Sequence, residues 1–308
     1  MLAAVMAVFS AAPARAVLFD STGDPTFNTT APTGALAGSG WQYQGLFGSV
    51  LATPIAPNYF LAAKHVGGGI GATLSYGGNT YVADSFVDSP TSDLRIFHTT
   101  GTFSTYAPLY TRSDEVGRDL VVLGRGYERG SGVTMGGSVV GWQWGGTSNA
   151  ERWGTNTVSG KINFGGSLGS LLYADFDHGA SATEATLSSN DSSGGVFIQD
   201  PTDNVWKLAG INYGVDGPFY RDASGGGGPF YAGLFDARGF YYWNGSSYAL
   251  ITDTAPVPTS MYVTEISANM SFILSVVPEP SNGGVITGVL LGVAALVSRR
   301  RCGSCTMN

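Results

Sequence analysis

Apolar and polar stretches alternate over short distances along most of this chain. Runs rich in Val, Ile, Leu and aromatic residues are separated by turns rich in Gly, Ser, Asn and Thr, and amphipathic helices are scarce. Strands at this spacing, with turn signals between them, are typical of an all-β barrel or sandwich. The predicted strands are Leu46–Leu51, Thr73–Val82, Leu120–Leu123, Val133–Trp144, Thr157–Phe164, Val196–Gln199, Trp206–Tyr213 and Tyr231–Phe235.

The composition and charge of the chain bear on its partners and cofactors. Only 12% of the 308 residues are charged, and 15 Lys and Arg against 22 Asp and Glu give a net charge of −7. Nucleic-acid binding requires clustered basic residues, so the acidic body of the chain argues against a nucleic-acid partner. The three histidines are dispersed and no metal-binding loop motif is present, so neither a metal nor another cofactor is expected.

The N-terminal residues have the pattern of an export signal. Residues 1–16 are mostly apolar and end in the small-x-small sequence Ala14-Arg15-Ala16, which is typical of a signal-peptide cleavage site. The sequence therefore predicts a signal peptide over residues 1–16 and a mature chain that begins at Val17.

The C-terminal residues carry a second targeting pattern. The sequence Pro278-Glu279-Pro280 precedes an apolar segment over residues 283–297 and three consecutive arginines at 299–301. This order resembles the PEP-CTERM sorting signal of Gram-negative bacteria. The resemblance implies a motif with a transmembrane helix over residues 277–301, a cytoplasmic tail over 302–308, and an exosortase-type sorting enzyme as a partner. Membrane anchoring through this helix would precede its removal.

The body of the chain contains a histidine and a serine in settings that favour nucleophilic catalysis. His65 follows an apolar strand, and a Ser-Ser-Gly-Gly sequence precedes another strand at Val196. Small residues beside a nucleophilic serine allow a substrate carbonyl to approach, and their N–H groups can stabilise the oxyanion that forms.

Four short sequences together resemble the trypsin-like (chymotrypsin-fold) serine proteases. The resemblance covers residues 40–243 and rests on Phe60–His65 (FLAAKH), Ser92–Ile96 (SDLRI), Asp191–Gly195 (DSSGG) and Leu208–Gly214 (LAGINYG). It implies two six-stranded antiparallel β-barrels with the active site in the cleft between them. By this resemblance the protease domain occupies residues 17–248, and a spacer over 249–276 leads to the sorting signal.

The resemblance also implies the roles of individual residues. Ser193 would be the nucleophile, His65 the general base, and Asp93 the carboxylate that orients the imidazole. The backbone N–H groups of Asp191 and Ser193 would form the oxyanion hole.

Four further positions correspond to the substrate pocket of the family. Leu187 lies six residues before Ser193 and would form the pocket floor, and Asn212, Tyr213 and Gly214 would line its wall. The substrate would be a protein or peptide.

Two assignments stay open at the level of sequence. Ser192 stands where the family has an aspartate, so either the turn carries an insertion or Ser192 is the nucleophile itself. The interval between His65 and Asp93 is short for the family, so Asp84 and Asp88 are alternatives for the orienting carboxylate.

These observations lead to one main functional hypothesis and one alternative. The main hypothesis is an exported serine endopeptidase located at the cell surface, at the outer membrane or in the extracellular matrix, with transient anchoring in the inner membrane. The alternative is a catalytically silent protein of protease fold that binds partners at the surface or in the matrix. A β-sandwich with chance motif matches would leave the candidate His, Asp and Ser far apart.

Overall fold

The computed structural model describes residues 17–147 and 150–278. The predicted signal peptide and most of the predicted sorting signal, including the apolar segment at 283–297, lie outside these residues. Within them, no helix is both long enough and apolar enough to cross a membrane.

The described residues are predominantly β-structure, which confirms the predicted fold class. Helical structure in the described ranges is confined to 3₁₀ turns at Gly34–Leu36, Trp41–Tyr43, Lys64–Val66 and Ser267–Asn269 and the helix α1 (Met270–Val276). The strands in chain order are β1 (Leu18–Phe19), β2 (Gly45–Phe47), β3 (Val50–Ala56), β4 (Tyr59–Ala63), β5 (Thr73–Tyr76), β6 (Asn79–Asp88), β7 (Leu94–Thr99), β8 (Asp119–Gly124), β9 (Tyr127–Met135), β10 (Ser138–Thr147), β11 (Arg152–Thr157), β12 (Gly160–Asn163), β13 (Ser170–Asp175), β14 (Ala185–Thr186), β15 (Gly195–Gln199), β16 (Trp206–Val215), β17 (Phe219–Tyr220), β18 (Ala232–Leu234), β19 (Tyr241–Trp243), β20 (Tyr248–Leu250) and β21 (Ser260–Glu265).

The N-terminal half forms a closed six-stranded barrel in the order β2-β3-β4-β7-β6-β5. β5 pairs back onto β2, which removes the free edges of the sheet. Aromatic side chains fill the interior, and the rings of Phe60 and Phe97 stack at 4.7 Å between centroids, with Phe47 and Phe103 packed against them. The structure therefore confirms one of the two predicted barrels.

The C-terminal half is built on a seven-stranded sheet in the order β11-β8-β15-β16-β21-β13-β12. Its edge strands β11 and β12 follow each other in the chain, with only residues 158 and 159 between them. The N–H of Val158 donates to the carbonyl of Arg118, and the N–H of Ser159 donates to the carbonyl of Tyr173, each at 2.9 Å. The long hairpin β9–β10 lies outside this sheet and pairs with β18. The second predicted six-stranded barrel is thus not confirmed as a closed sheet.

The two halves share an apolar interface. Leu61 and Leu94 of the barrel pack in one buried cluster with Leu123, Phe197 and Ile211 of the seven-stranded sheet. Burial of this surface fixes the barrel against β8, β15 and β16.

The structure corrects the predicted spacer over residues 249–276. β21 lies inside the seven-stranded sheet, between β13 and β16, and Met261 and Val263 are almost fully buried in its core. α1 follows and buries Ile273 in the interface between the halves. These residues belong to the folded domain because their apolar side chains complete its core.

The segment between β16 and β21 adds a small sheet outside the main one. β17, β19 and β20 pair with one another in this segment. The side chains of Phe219, which belongs to β17, and of Phe240 are buried and pack in a cluster with Val133 of β9. The small sheet is therefore anchored to the β9–β10 hairpin.

Candidate active site

Strand pairing in the barrel places His65 beside Asp93. His65 lies in a 3₁₀ turn that begins where β4 ends, and Asp93 directly precedes β7. β4 and β7 are antiparallel neighbours with Ala63 opposite Leu94, and the N–H of Lys64 donates to the carbonyl oxygen of Asp93 at 3.0 Å.

The carboxylate of Asp93 contacts His65 at two points. The backbone N–H of His65 donates to Oδ1 at 2.9 Å, and the ring Nδ1 lies 2.5 Å from Oδ2. An ionised carboxylate only accepts hydrogen bonds. The proton of the neutral ring is therefore held on Nδ1, which leaves a lone pair on Nε2.

Ser192 completes the arrangement. Its Oγ lies 2.9 Å from Nε2 of His65, and its side chain is partly exposed. The structure thus corrects the choice between the two serines, because Ser192, and not Ser193, faces the imidazole. The three side chains Asp93, His65 and Ser192 form one continuous hydrogen-bonded chain, which excludes a fold in which the motif matches are far apart.

Ser193 points into the protein instead. It is fully buried, and its Oγ accepts a hydrogen bond from the N–H of Ala63 at 3.0 Å. Its φ of +72° lies in the left-handed region that favours glycine. Ser193 was predicted as the nucleophile because two glycines follow it. In the structure it occupies the position at which the family pattern leads one to expect the first of those glycines.

Gly194 shows why small residues are needed after this turn. A Cβ at Gly194 would lie 2.1 Å from the carbonyl oxygen of Leu123, so no larger residue fits there. Glycine is therefore required at 194 because another part of the backbone lies close behind the turn. It does not mark the residue before it as the nucleophile.

The two N–H groups predicted for the oxyanion hole are engaged elsewhere. The N–H of Asp191 donates to the carbonyl of Ser188 at 3.3 Å, and the N–H of Ser193 donates to the carbonyl of Asn212 at 2.9 Å. Within residues 17–147 and 150–278, the N–H groups of Asn190 and Ser192 have no protein acceptor. The N–H groups of Asp191 and Ser193 are therefore not free to bind an oxyanion in this structure.

The carboxylate of Asp191 is buried and accepts hydrogen bonds from three other residues. Its Oδ1 accepts from the N–H of Gly126 at 2.6 Å, and its Oδ2 accepts from the N–H and the hydroxyl of Ser188 at 2.7 and 2.8 Å. The N–H of Val17 lies 3.4 Å from Oδ1. Burial raises the pKa of Asp191 to about 6, although each of these hydrogen bonds acts to lower it.

Lys64 braces the loop that carries Asp93. Its Nζ donates to the carbonyl oxygens of Ser89 and Ser92 at 3.0 and 2.7 Å. The two alternative carboxylates are engaged elsewhere, since Asp84 contacts His98 and Asp88 contacts Arg95. Asp93 is accordingly the carboxylate at His65.

The predicted pocket residues fall into two groups. Tyr213 and Gly214 line a cavity of about 580 Å³ beside His65, and the ring of Tyr213 meets the imidazole edge-on at 5.6 Å. Leu187 is buried in the apolar core instead, and Asn212 is fully buried. The Nδ2 of Asn212 donates to the carbonyls of Leu123 and Asp191, so this residue holds the serine turn rather than the pocket wall.

The same cavity contains residues that were not predicted from sequence. Phe164, Leu168, Asp216 and Tyr262 contribute to its lining. Tyr262 was missed because residues 249–276 were assigned to a spacer. The alternation of apolar and polar residues in Met261–Glu265 is a period-two signal that could have identified a strand there.

The described residues contain no group of three or more His, Cys, Asp or Glu side chains that could hold a metal ion. The side chains at the site supply a hydroxyl, an imidazole nitrogen within hydrogen-bonding distance of it, and a carboxylate that holds the imidazole.

Comparison with known proteins gives matches only at the level of structure. No protein-family model matches the sequence, and no curated protein matches it. The chain is similar to the passenger domain of the plasmid-encoded toxin, an autotransporter enterotoxin of enteroaggregative Escherichia coli, with a TM-score of 0.44 and 14% identity. That match covers 76% of this chain but only 22% of the passenger domain.

A second similar structure is that of Rv3671c from M. tuberculosis, a serine-to-alanine mutant in an inactive form. Its TM-score is 0.43 and its identity to this chain is 13%, over 80% of this chain and 92% of the other.

Proposed function

We propose that this protein is a serine endopeptidase that resembles the trypsin-like family and uses Ser192 as its nucleophile. The observation that carries the proposal is the chain of contacts from Asp93 through His65 to Ser192, at 2.5 and 2.9 Å. Nucleophile, base and orienting group at these distances form the arrangement that activates a serine hydroxyl.

The proposed reaction proceeds by acyl transfer. The Oγ of Ser192 attacks the carbonyl carbon of the scissile bond while Nε2 of His65 takes the hydroxyl proton. Asp93 keeps the Nδ1 proton in place and stabilises the imidazolium. His65 then donates its proton to the leaving amine as the C–N bond breaks. A water molecule, deprotonated by His65, hydrolyses the acyl-enzyme and restores Ser192.

We assign the oxyanion hole to the N–H groups of Ser192 and Asn190. Neither N–H has a protein acceptor among the residues that the structure describes, whereas their neighbours in the turn are hydrogen-bonded. The φ of Asn190 is +70°, a conformation that asparagine tolerates better than most residues. Removal of one oxyanion donor typically costs about 3–4 kcal/mol of transition-state stabilisation.

The substrate is proposed to lie along the exposed edge of β16. The pairing of β16 with β15 ends at Ile211, whereas its pairing with β21 continues to Val215. An extended peptide can therefore pair with residues 213–215 on the side of the cavity that contains His65.

We also propose export and a location at the cell surface. This part of the proposal rests on the sequence of the termini: the small-x-small site at Ala16 and the sorting-signal pattern that begins near Pro278.

Hydrolysis of casein by the purified protein tests the proposed function. Ser192→Ala is expected to lower kcat/KM by about 10⁴-fold or more, because it removes the group that forms the acyl-enzyme. Ser189→Ala, in the same loop but without a contact to His65, is the control and is expected to retain activity. Equal activity of the two variants would contradict the proposal.

A further inference from the structure

A second cavity adjoins the cavity beside His65. Asp216 and Gly217 line both of them. The second cavity has a volume of about 600 Å³ and lies between the end of β16 and the small sheet β17-β19-β20. We call it the aromatic cavity, because aromatic residues and prolines make up half of its lining: Pro218, Phe219, Tyr220, Tyr242, Trp243 and Pro258.

The rings at the mouth of the aromatic cavity remain accessible. Trp243 is 51% exposed and Tyr242 is 42% exposed. They are nevertheless held in place, since Trp243 packs edge-on against Tyr248 at 5.1 Å between centroids, and Tyr248 packs against Tyr220 at 4.6 Å. Positioned aromatic rings offer a large contact area at a low cost in conformational entropy.

The floor of the aromatic cavity is rigid. Phe219 is 3% exposed and Ala237 2% exposed, and both belong to the buried cluster that anchors the small sheet to β9. A preformed pocket of this kind binds a side chain without ordering its own walls.

The electrostatics of the aromatic cavity favour an uncharged occupant. Asp216 is the only charged residue in its lining. The two oxygens of Asp216 already accept hydrogen bonds from the N–H of Ser260 and the hydroxyl of Tyr262, each at 2.8 Å. Burial raises the pKa of Asp216, which further weakens any preference for a cationic ligand.

We propose that the aromatic cavity binds a large apolar or aromatic side chain of the polypeptide substrate, at a position several residues from the scissile bond. The proposal rests on the proposed function. A peptide paired with residues 213–215 advances about 3.3 Å per residue. Beyond Val215 it reaches Asp216 and Gly217, and the aromatic cavity begins there.

Internally quenched peptides test this subsite with the purified full chain. The short peptide spans three residues on each side of a bond that the protein cleaves in casein. The long peptides keep this centre and add four residues at either end, with Phe placed at one added position at a time and Ala at the others. We expect Phe at one such position to raise kcat/KM at least tenfold over the all-Ala extension.

Three variants identify where this gain arises. Trp243→Ala and Tyr242→Ala are each expected to remove most of the gain and to leave kcat/KM of the short peptide unchanged, which also shows that the variants are folded. Phe164→Ala, in the cavity beside His65, is expected to lower kcat/KM of short and long peptides alike. Tyr106→Ala, an exposed aromatic residue at another cavity, is the matched control and should change neither.

The outcomes separate the subsite from the proposed function. Cleavage of all peptides at one rate, whatever residue occupies the added positions, would overturn the subsite and leave the endopeptidase intact. Persistence of the gain in both Trp243→Ala and Tyr242→Ala would do the same. Failure to cleave casein or any peptide would overturn the endopeptidase and the subsite with it.

Discussion

The hydroxyl of Ser193 makes a contact between the two halves of the molecule that a glycine at this position would lack. It accepts a hydrogen bond from the N–H of Ala63, two residues before His65 in the barrel, while Ser193 itself lies in the same turn as Ser192. The contact is fully buried, so its loss would leave the N–H of Ala63 without a partner. The hydrogen bond thus links the strand that leads to His65 with the turn that carries Ser192.

Two substitutions of Ser193 distinguish the contribution of this hydrogen bond to stability from the cost of the backbone strain. Ser193→Ala keeps the unfavourable φ and loses the hydrogen bond, so we expect it to lower the free energy of unfolding by about 1–3 kcal/mol. Ser193→Gly also loses the bond but relieves about 1 kcal/mol of strain, and should be the more stable of the two. Urea denaturation gives both values. A Ser193→Ala protein as stable as the wild type would contradict this account.

Asp191 makes folding stability depend on pH. Burial raises its pKa to about 6, compared with about 3.9 for an unfolded aspartate. Between these values the folded state binds more protons than the unfolded state, so this group lowers stability as pH rises from about 4 to 6, by about 2–3 kcal/mol.

The comparison with Asp191→Asn isolates this contribution. The free energy of unfolding of both proteins is measured at several pH values between 4 and 7. The difference, wild type minus variant, is expected to fall by about 2–3 kcal/mol across the window, because asparagine does not titrate there. Parallel profiles would show that Asp191 does not titrate in this range.

At the scale of single elements, β1 brings the start of the described chain close to the turn that carries Ser192. Leu18 and Phe19 pair with β14, and Val17 is buried with its N–H near Oδ1 of Asp191. In a chain that begins at Val17, this N–H would be a positively charged ammonium beside a buried carboxylate. An opposite charge at this distance favours the ionised form of Asp191.

We therefore expect a chain cut after Ala16 to be more stable at pH 7 than the uncut chain, by about 1–3 kcal/mol. Its decline in stability between about pH 4 and 6 should also be smaller, because the ammonium lowers the pKa of Asp191. Thermal or urea unfolding of the two forms, prepared from the same protein, measures both effects. Identical stability of the two forms would indicate that the ammonium does not reach Asp191.

Lys161 on β12 holds two buried carboxylates together. Its Nζ contacts Glu115 at 2.5 Å and Glu265 of β21 at 2.6 Å, and these glutamates are 0% and 3% exposed. Lys161→Met leaves both without their cation, so we expect a loss of about 3–5 kcal/mol in the free energy of unfolding. Arg112→Met, which breaks an exposed ion pair with Asp114, is the control and should lower stability far less, because water screens that pair. Similar losses for the two variants would contradict this.

The strand predictions were correct where the apolar run contains no two-residue turn. The runs Val196–Gln199 and Trp206–Tyr213 correspond to β15 and β16. Thr73–Val82 and Val133–Trp144 each turned out to be a hairpin, with Gly-Gly turns at 77–78 and 136–137 in which both glycines have positive φ. Such a turn is short enough to be read as part of an apolar run.

At the scale of the whole molecule, the candidate site lies where the barrel meets the seven-stranded sheet. The barrel supplies His65 and Asp93, and the loop before β15 supplies Ser192. Sequence could predict the first pair because FLAAKH and SDLRI resemble the protease family and each of the two residues adjoins an apolar strand. It could not fix the serine, since the burial of Ser193 and its contact with Ala63 depend on how the two halves pack.

The residues beyond β16 were the least predictable part of the molecule. The small sheet, β21 and α1 depend on contacts with β9, β13 and β16, which are distant in sequence. The Gly- and Pro-rich composition of 216–259 gives little periodic signal, although this segment forms the wall of the aromatic cavity.

Covalent labelling with a fluorophosphonate, followed by peptide mapping, tests the central claim most directly. The account predicts one adduct, located on Ser192, and its absence from the His65→Ala protein, because the hydroxyl is activated only by the imidazole beside it. An adduct on Ser193, or no adduct on the folded protein, would contradict the account.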